Sequence, residues 1–92
     1  MNYKLEITDL AKIHLARHNK SGYKGLVKKI HALLAEIVEH PRTGTGHPEA
    51  LRHKDTEMWS RRIDAKHRLI YEIRDNELVV IAISAFGHYD DK

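Results

Sequence analysis

Two arginines that face each other across a short hairpin are the most pointed chemical feature of this 92-residue chain. Trp59-Ser60-Arg61-Arg62-Ile63 and His67-Arg68-Leu69-Ile70-Tyr71 read as two strands. With Asp64-Ala65-Lys66 as the loop between them, Arg62 stands opposite Arg68. Like charges directly across a strand pair repel, so the arrangement asks for an anion between or above them, or for carboxylates nearby. A phosphate fits the first case, because the planar guanidinium fork matches its oxygens. In the second case the arginines splay into water and pair with Glu72 or Asp64. Glu49, in a glycine-rich loop, is either a solvated carboxylate or one available for chemistry. Eight histidines are many for this length, and imidazole is the side chain that exchanges protons near neutral pH. His14 and His18, four apart, would share a helix face as zinc ligands do. No carboxylate lies between them and no third ligand is evident, so no metal site is expected.

These residues must be positioned by short elements. Residues 3–7 alternate apolar and polar and read as a strand, and Thr8 or Asp9 supplies an N-cap oxygen for a helix over residues 10–19. That helix is expected to bury Leu10, Ile13 and Ala16, and Lys20-Ser21-Gly22 breaks it. A second helix over 25–39 carries the clearest period, with Leu26, Val27, Ile30, Leu33, Leu34, Ile37 and Val38 on one face. Pro41 stops it. Residues 41–57 form a long loop of the kind that is more often functional than decorative. Strands follow over 58–63, 67–74 and 78–85, joined by hairpin-length turns. The expected fold is α+β: strand, two helices, three strands. The last three form an antiparallel meander, the first strand adds to that sheet, and the helices cover one face. The other face is left partly open for a ligand.

The length fits a single domain over residues 1–92. Charged residues make up 32% and apolar residues 41%, the balance of a small soluble protein. No apolar run is long enough for a membrane span, and the N-terminus lacks a signal-peptide core. Cysteine is absent, which excludes disulfides, a thiol nucleophile and thiolate metal sites. A cytoplasmic location is the expectation. The net charge of +3 is uneven: no acidic residue occurs from Leu10 to Ala35, a stretch holding Lys12, Arg17, Lys20, Lys24, Lys28 and Lys29. Such a surface favours a polyanion or is a solvated helix face.

In order along the chain, Val27-Lys28-Lys29-Ile30, Gly44-x-Gly46-x-Pro48-Glu49-x-Leu51-x-His53, Trp59-Ser60-Arg61-Arg62-Ile63, His67-Arg68-Leu69-Ile70-Tyr71 and His88-Tyr89 together resemble the YoeB (Txe-type) toxins of the RelE superfamily. The resemblance covers residues 27–89. It is weaker in the first helix, which reads Leu10-Ala11-Lys12-Ile13-His14-Leu15 where familiar members are richer in aromatics. It is weaker too at Phe86-Gly87, where many relatives carry a basic residue or tyrosine.

The resemblance implies a RelE-like fold with two helices packed on an antiparallel sheet. It implies a ribosome-dependent endoribonuclease that cleaves messenger RNA in the ribosomal A site and is neutralised by a YefM-type antitoxin. By the same analogy, Glu49 matches the general base, Arg68 the arginine that stabilises the transition state, and His88 the general acid. Arg52, Arg62 and Tyr89 match RNA-contacting positions, and Lys28 and Lys29 are expected to meet ribosomal RNA. His53 and His67 match recurring positions, His67 as a turn or packing residue. Ser60 shares a strand face with Arg62. No metal or cofactor is required, and a homodimer is plausible by analogy alone. Two other expectations compete: a non-catalytic toxin of the ParE type that poisons gyrase, which generally lacks the base–arginine–acid set, and a plain basic RNA-binding domain.

Overall fold

A computed structural model describes residues 2–52 and 55–87. The order is β1 (Lys4–Ile7), α1 (Asp9–Lys20), α2 (Lys24–Glu39), β2 (Glu49–Leu51), β3 (Glu57–Arg62), β4 (Arg68–Arg74) and β5 (Val79–Ser84), with a 3-10 turn at Asp75–Glu77. The strands form one sheet in the order β1-β5-β4-β3-β2. The meander is antiparallel, as expected, and the helices cover one face. The departure from a purely antiparallel sheet is β1, which runs parallel to β5 with Lys4 opposite Val79 and Ile7 opposite Ala82. Among the described residues, no helix is long and apolar enough to cross a membrane.

The core lies between α2 and one sheet face. Leu26, Ile30, Leu33, Leu34 and Ile37 of α2 meet Ile63, Leu69, Tyr71, Ile73, Val80 and Ala82. Each such large apolar side chain contributes roughly 1.5–3 kcal/mol on burial. The strand side of this core follows the period of two: Leu69, Tyr71 and Ile73 point to the helices, and Arg68, Ile70 and Glu72 to the opposite, open face.

Helix α1 corrects the expected orientation. Thr8 caps it, its hydroxyl oxygen accepting from the Ala11 N–H at 3.1 Å and donating to the Ile83 carbonyl at 2.8 Å. The buried residues are Ala11 and His18, while Leu10 and Ile13 are 49% and 58% exposed and Ala16 is also exposed. The inward face therefore runs Ala11, His14, Leu15, His18. Two of those four are histidines, and an apolar-period reading treats them as solvent-facing.

The expected loop over 41–57 is interrupted by β2, which pairs antiparallel with β3. Its approach is held by Arg61, which is completely buried. Arg61 shares its strand face with Trp59 and Ile63 and so points into the helix-covered side. Its Nε donates to the Tyr71 hydroxyl (3.0 Å) and its Nη1 to Glu36 and to the Thr45 carbonyl (3.3 Å). Its Nη2 donates to the carbonyls of His40 and Thr43 (2.8 Å for Thr43). The Tyr71 hydroxyl in turn donates to the Pro41 carbonyl at 2.6 Å. Burial works against ionising Glu36, but the Thr45 N–H and hydroxyl and the Arg61 charge outweigh it and hold the carboxyl below its usual range. Two glycines make the loop possible. A Cβ on Gly44 would lie 2.6 Å from a Glu36 oxygen, and one on Gly46, at φ +86°, would lie 2.9 Å from the Arg62 carbonyl.

Replacing Arg61 with Leu removes the cation that Glu36 pairs with and the donor of three loop carbonyls. The expected loss is about 3–5 kcal/mol of unfolding free energy, read as a lower urea midpoint. A midpoint unchanged from the parent protein would show that the loop is held by other means.

Candidate functional site

The site is assembled on the open face of the sheet, at the end where β3 and β4 turn. Arg62 and Arg68 are Cα partners across the hairpin, as the sequence predicted. Glu49, brought in by β2, is the Cα partner of Ser60, which is itself opposite Ile70. Glu49, Ser60 and Arg62 therefore share one face, with Arg62 on the diagonal from Glu49. Diagonal neighbours lie roughly 7–8 Å apart, within reach of long side chains. Glu49 and Arg62 are exposed and Arg68 is half-buried. Ser60 is buried beneath this group.

The carboxylates proposed to neutralise the arginines are engaged elsewhere. Glu72 accepts from Arg74 Nε at 2.7 Å. Asp64 caps its own turn, accepting from the Lys66 and His67 N–H groups at 2.8 and 2.7 Å, which hold it below its usual range against the opposing effect of burial. Among the described residues, the side chains of Arg62 and Arg68 have no hydrogen-bond or ion-pair partner. This end of the face thus presents two forked cations and one carboxylate from an adjacent strand. That combination can grip a phosphate and leave a base beside it.

The segment after β5 returns to the same place. The Arg68 N–H donates to the Gly87 carbonyl at 3.0 Å, so the chain is fixed beside Arg68 up to its last described residue. The expected acid His88, together with Tyr89 and His53, lies outside the described residues. Arg52 is exposed just past β2. Lys28 and Lys29 are exposed on α2, on the helix side of the sheet, and are not brought together with the arginine pair. Lys28 borders a hollow of about 410 Å³ with Asn19, Gly22, Lys24, Val27 and His31.

Two contributors escaped the sequence reading. One is Arg61, inside the Trp59–Ile63 run; its placement between two core-facing positions of a strand is the signal that marks it as buried. The other is β2, too short at three residues to show a period.

A family profile described as "YoeB-like toxin of bacterial type II toxin-antitoxin system" matches residues 14–89. Toxin YoeB of Streptomyces coelicolor is 43% identical over 64 residues, spanning 70% of this chain and 74% of the relative. A solved YoeB/ParE toxin from Agrobacterium tumefaciens superposes with a TM-score of 0.84 at 29% identity, covering 94% of this chain and 99% of that one. YoeB of Staphylococcus aureus, solved as a dimer, gives 0.78 at 31% identity over 97% of this chain and 100% of its own. A YoeB-YefM complex from the same organism gives 0.75 at 30% identity, with the same coverage.

If the arginine pair is a binding device held against its own repulsion, Arg62→Gln relieves that repulsion. The variant is expected to have a higher urea midpoint than the parent at low ionic strength. The gain should shrink in high salt as the charges are screened. An unchanged or lower midpoint at low salt would mean that the two guanidiniums do not oppose each other.

Proposed function

The chain belongs to the YoeB-like toxins of bacterial type II toxin–antitoxin systems, and on that premise we propose that it is an endoribonuclease that cuts messenger RNA in the ribosomal A site. The observation that carries this reading is the convergence of Glu49, Arg62 and Arg68 on one end of the open sheet face. Gly87, bonded to the backbone of Arg68, immediately precedes His88 in sequence.

RNA brings its own nucleophile, the ribose 2′-hydroxyl next to the scissile phosphate. Glu49 takes the hydroxyl proton as the 2′-oxygen bonds to phosphorus. Charge grows on the non-bridging phosphate oxygens, and Arg68, with Arg62 opposite, stabilises it by charge-assisted hydrogen bonds. The bond from phosphorus to the 5′-oxygen breaks, and His88 gives that oxygen its proton. The products are a 2′,3′-cyclic phosphate and a 5′-hydroxyl, and the scheme needs no metal. Arg52 holds a neighbouring phosphate, and Tyr89 stacks on a base or orients the phosphate. Lys28 and Lys29, on the opposite layer, contact ribosomal RNA. The ribosome then supplies the aligned message, which frees the toxin from binding RNA tightly by itself.

The partner that silences it is a YefM-type antitoxin, in keeping with the YoeB-YefM complex of Staphylococcus aureus. Two copies of this chain associate as the YoeB dimer does. The place of action is the cytoplasm, where translating ribosomes are.

Glu49→Gln, Arg68→Ala and His88→Ala are each expected to lower message cleavage on purified ribosomes, by about 10²–10⁴-fold for the two proton-transfer groups. Their melting temperatures should stay near that of the parent. Cleavage by the Arg68 variant at the parental rate would remove the catalytic assignment. Trapped gyrase–DNA complexes without message cleavage would favour the ParE-type activity instead.

A further inference from the structure

Beyond Ser84 the chain leaves the sheet, yet Ala85 is buried, at 1% exposure. Its backbone polar groups need partners there, because a buried unpaired N–H or C=O is costly. β1 has already ended at Ile7, and side chains take the place of a neighbouring strand. The Ala85 N–H donates to His14 Nδ1 at 3.0 Å. The Ala85 carbonyl and His18 Nε2 lie 2.7 Å apart, with His18 donating. The Gly87 N–H donates to His67 Nδ1 at 2.9 Å, and its carbonyl accepts from Arg68. Phe86, between them, packs on the rings of His14, His18 and His67 with centroids 5.8, 5.1 and 4.5 Å away, and the Arg17 guanidinium lies 3.9 Å from its centroid.

We propose that His14 and His67 are positioning residues: as neutral acceptors they fix Ala85 and Gly87 beside Arg68, in the run of chain that leads into His88. The inference rests on the endonuclease reading for its functional consequence. It adds a requirement of its own, which is that each Nδ1 must be unprotonated. A doubly protonated imidazole has only donors and cannot receive a backbone N–H.

Among the described residues, the charged and titratable groups around the cluster are Arg17 and His18 on α1, and Asp64, Lys66 and His67 in the β3–β4 turn; residues 84–87 carry no charge. Burial, then Arg17 and His18, push the His14 imidazole below its ordinary 6.5. A group held neutral in this way contributes fully above the unfolded value and loses its contribution as pH falls through the lower folded one. The His14 anchor is therefore complete at neutral pH and is lost as pH falls through a folded value that lies below 6.5.

The test separates shape from charge. Asn places its Oδ1 where His places Nδ1, at the same distance from the backbone, and cannot be protonated. The variants are His14→Asn and His67→Asn, singly and together, and His14→Phe and His67→Phe. Two measurements are made on each: amide hydrogen exchange of Ala85 and Gly87, and message cleavage on purified ribosomes. The Phe variants should lose protection at these two amides and lose about ten- to a hundredfold in kcat, the scale of a misplaced catalytic group, with KM for ribosomes little changed. The Asn variants should keep both. On acidification the parent should lose protection at 85, and the double Asn variant should not.

Parental kcat in either Phe variant overturns the positioning role, as does acid-induced loss of protection that persists in the double Asn variant. If a Phe variant does not fold, the Asn comparison across pH still decides the matter. Absence of cleavage by the parent protein itself would instead defeat the endonuclease reading, and the positioning role with it.

Discussion

A single buried guanidinium determines where the open face ends and what stands on it. Arg61 is wholly enclosed, and its hydrogen bonds reach the last residue before Pro41, two carbonyls of the following loop, a carboxylate of α2 and the Tyr71 hydroxyl of β4. An ion removed from water is costly unless geometry and hydrogen bonding compensate. Here five acceptors surround it, and among the described residues no buried side-chain polar atom lacks a partner. The loop after α2 cannot wander without exposing that charge to an incomplete shell. Its far end is clamped too, because the Arg62 N–H donates to the Gly46 carbonyl at 2.7 Å. Three residues later Glu49 enters the sheet. The register of the carboxylate thus descends from a cation on the other face of β3.

The two sheet faces divide the charged residues by purpose. On the helix side, Arg61 and Glu36 are mutually satisfied. At the far edge, Arg42 joins Glu57 at 2.7 Å and Asp75 at 2.6 Å, and Tyr3 and Trp59 add hydrogen bonds to the same carboxylates. On the open face, Arg74 and Glu72 neutralise each other near the opposite end of β4. Toward the β3–β4 turn of that face, Arg62 and Arg68 stand without a carboxylate partner among the described residues.

Much of this was readable from residue order. The period of α2 and the hairpin register that opposes Arg62 to Arg68 follow from local rules and appear in the structure, and of the two cap candidates, Thr8 and Asp9, the structure uses Thr8. What was not readable depends on distant parts of the chain. The inward face of α1 could not be assigned from apolar spacing, because His14 and His18 occupy it to serve a backbone segment more than 65 positions away. Strand β2 has too few residues to display alternation and exists because β3 offers it an edge. The parallel pairing of β1 depends on the return of β5, which no property of residues 3–7 encodes. Glu49, Arg62 and Arg68 were recognisable by type and motif as candidates, while their placement at one end of the sheet needed the tertiary frame around Arg61.

The position of β5 has a consequence for how the chain comes into being. It is the last described strand to be synthesised, yet it lies between β1 and β4, and the partner of Lys4 is Val79. During synthesis, β1 must wait some 75 positions for its neighbour. Pairings this remote in sequence form slowly, because chain entropy is lost before the contacts repay it. A nascent chain can build the α2–β3–β4 portion early, but the sheet stays open along one side until β5 has emerged. The arginine pair is therefore laid down well before the segment that closes beside it.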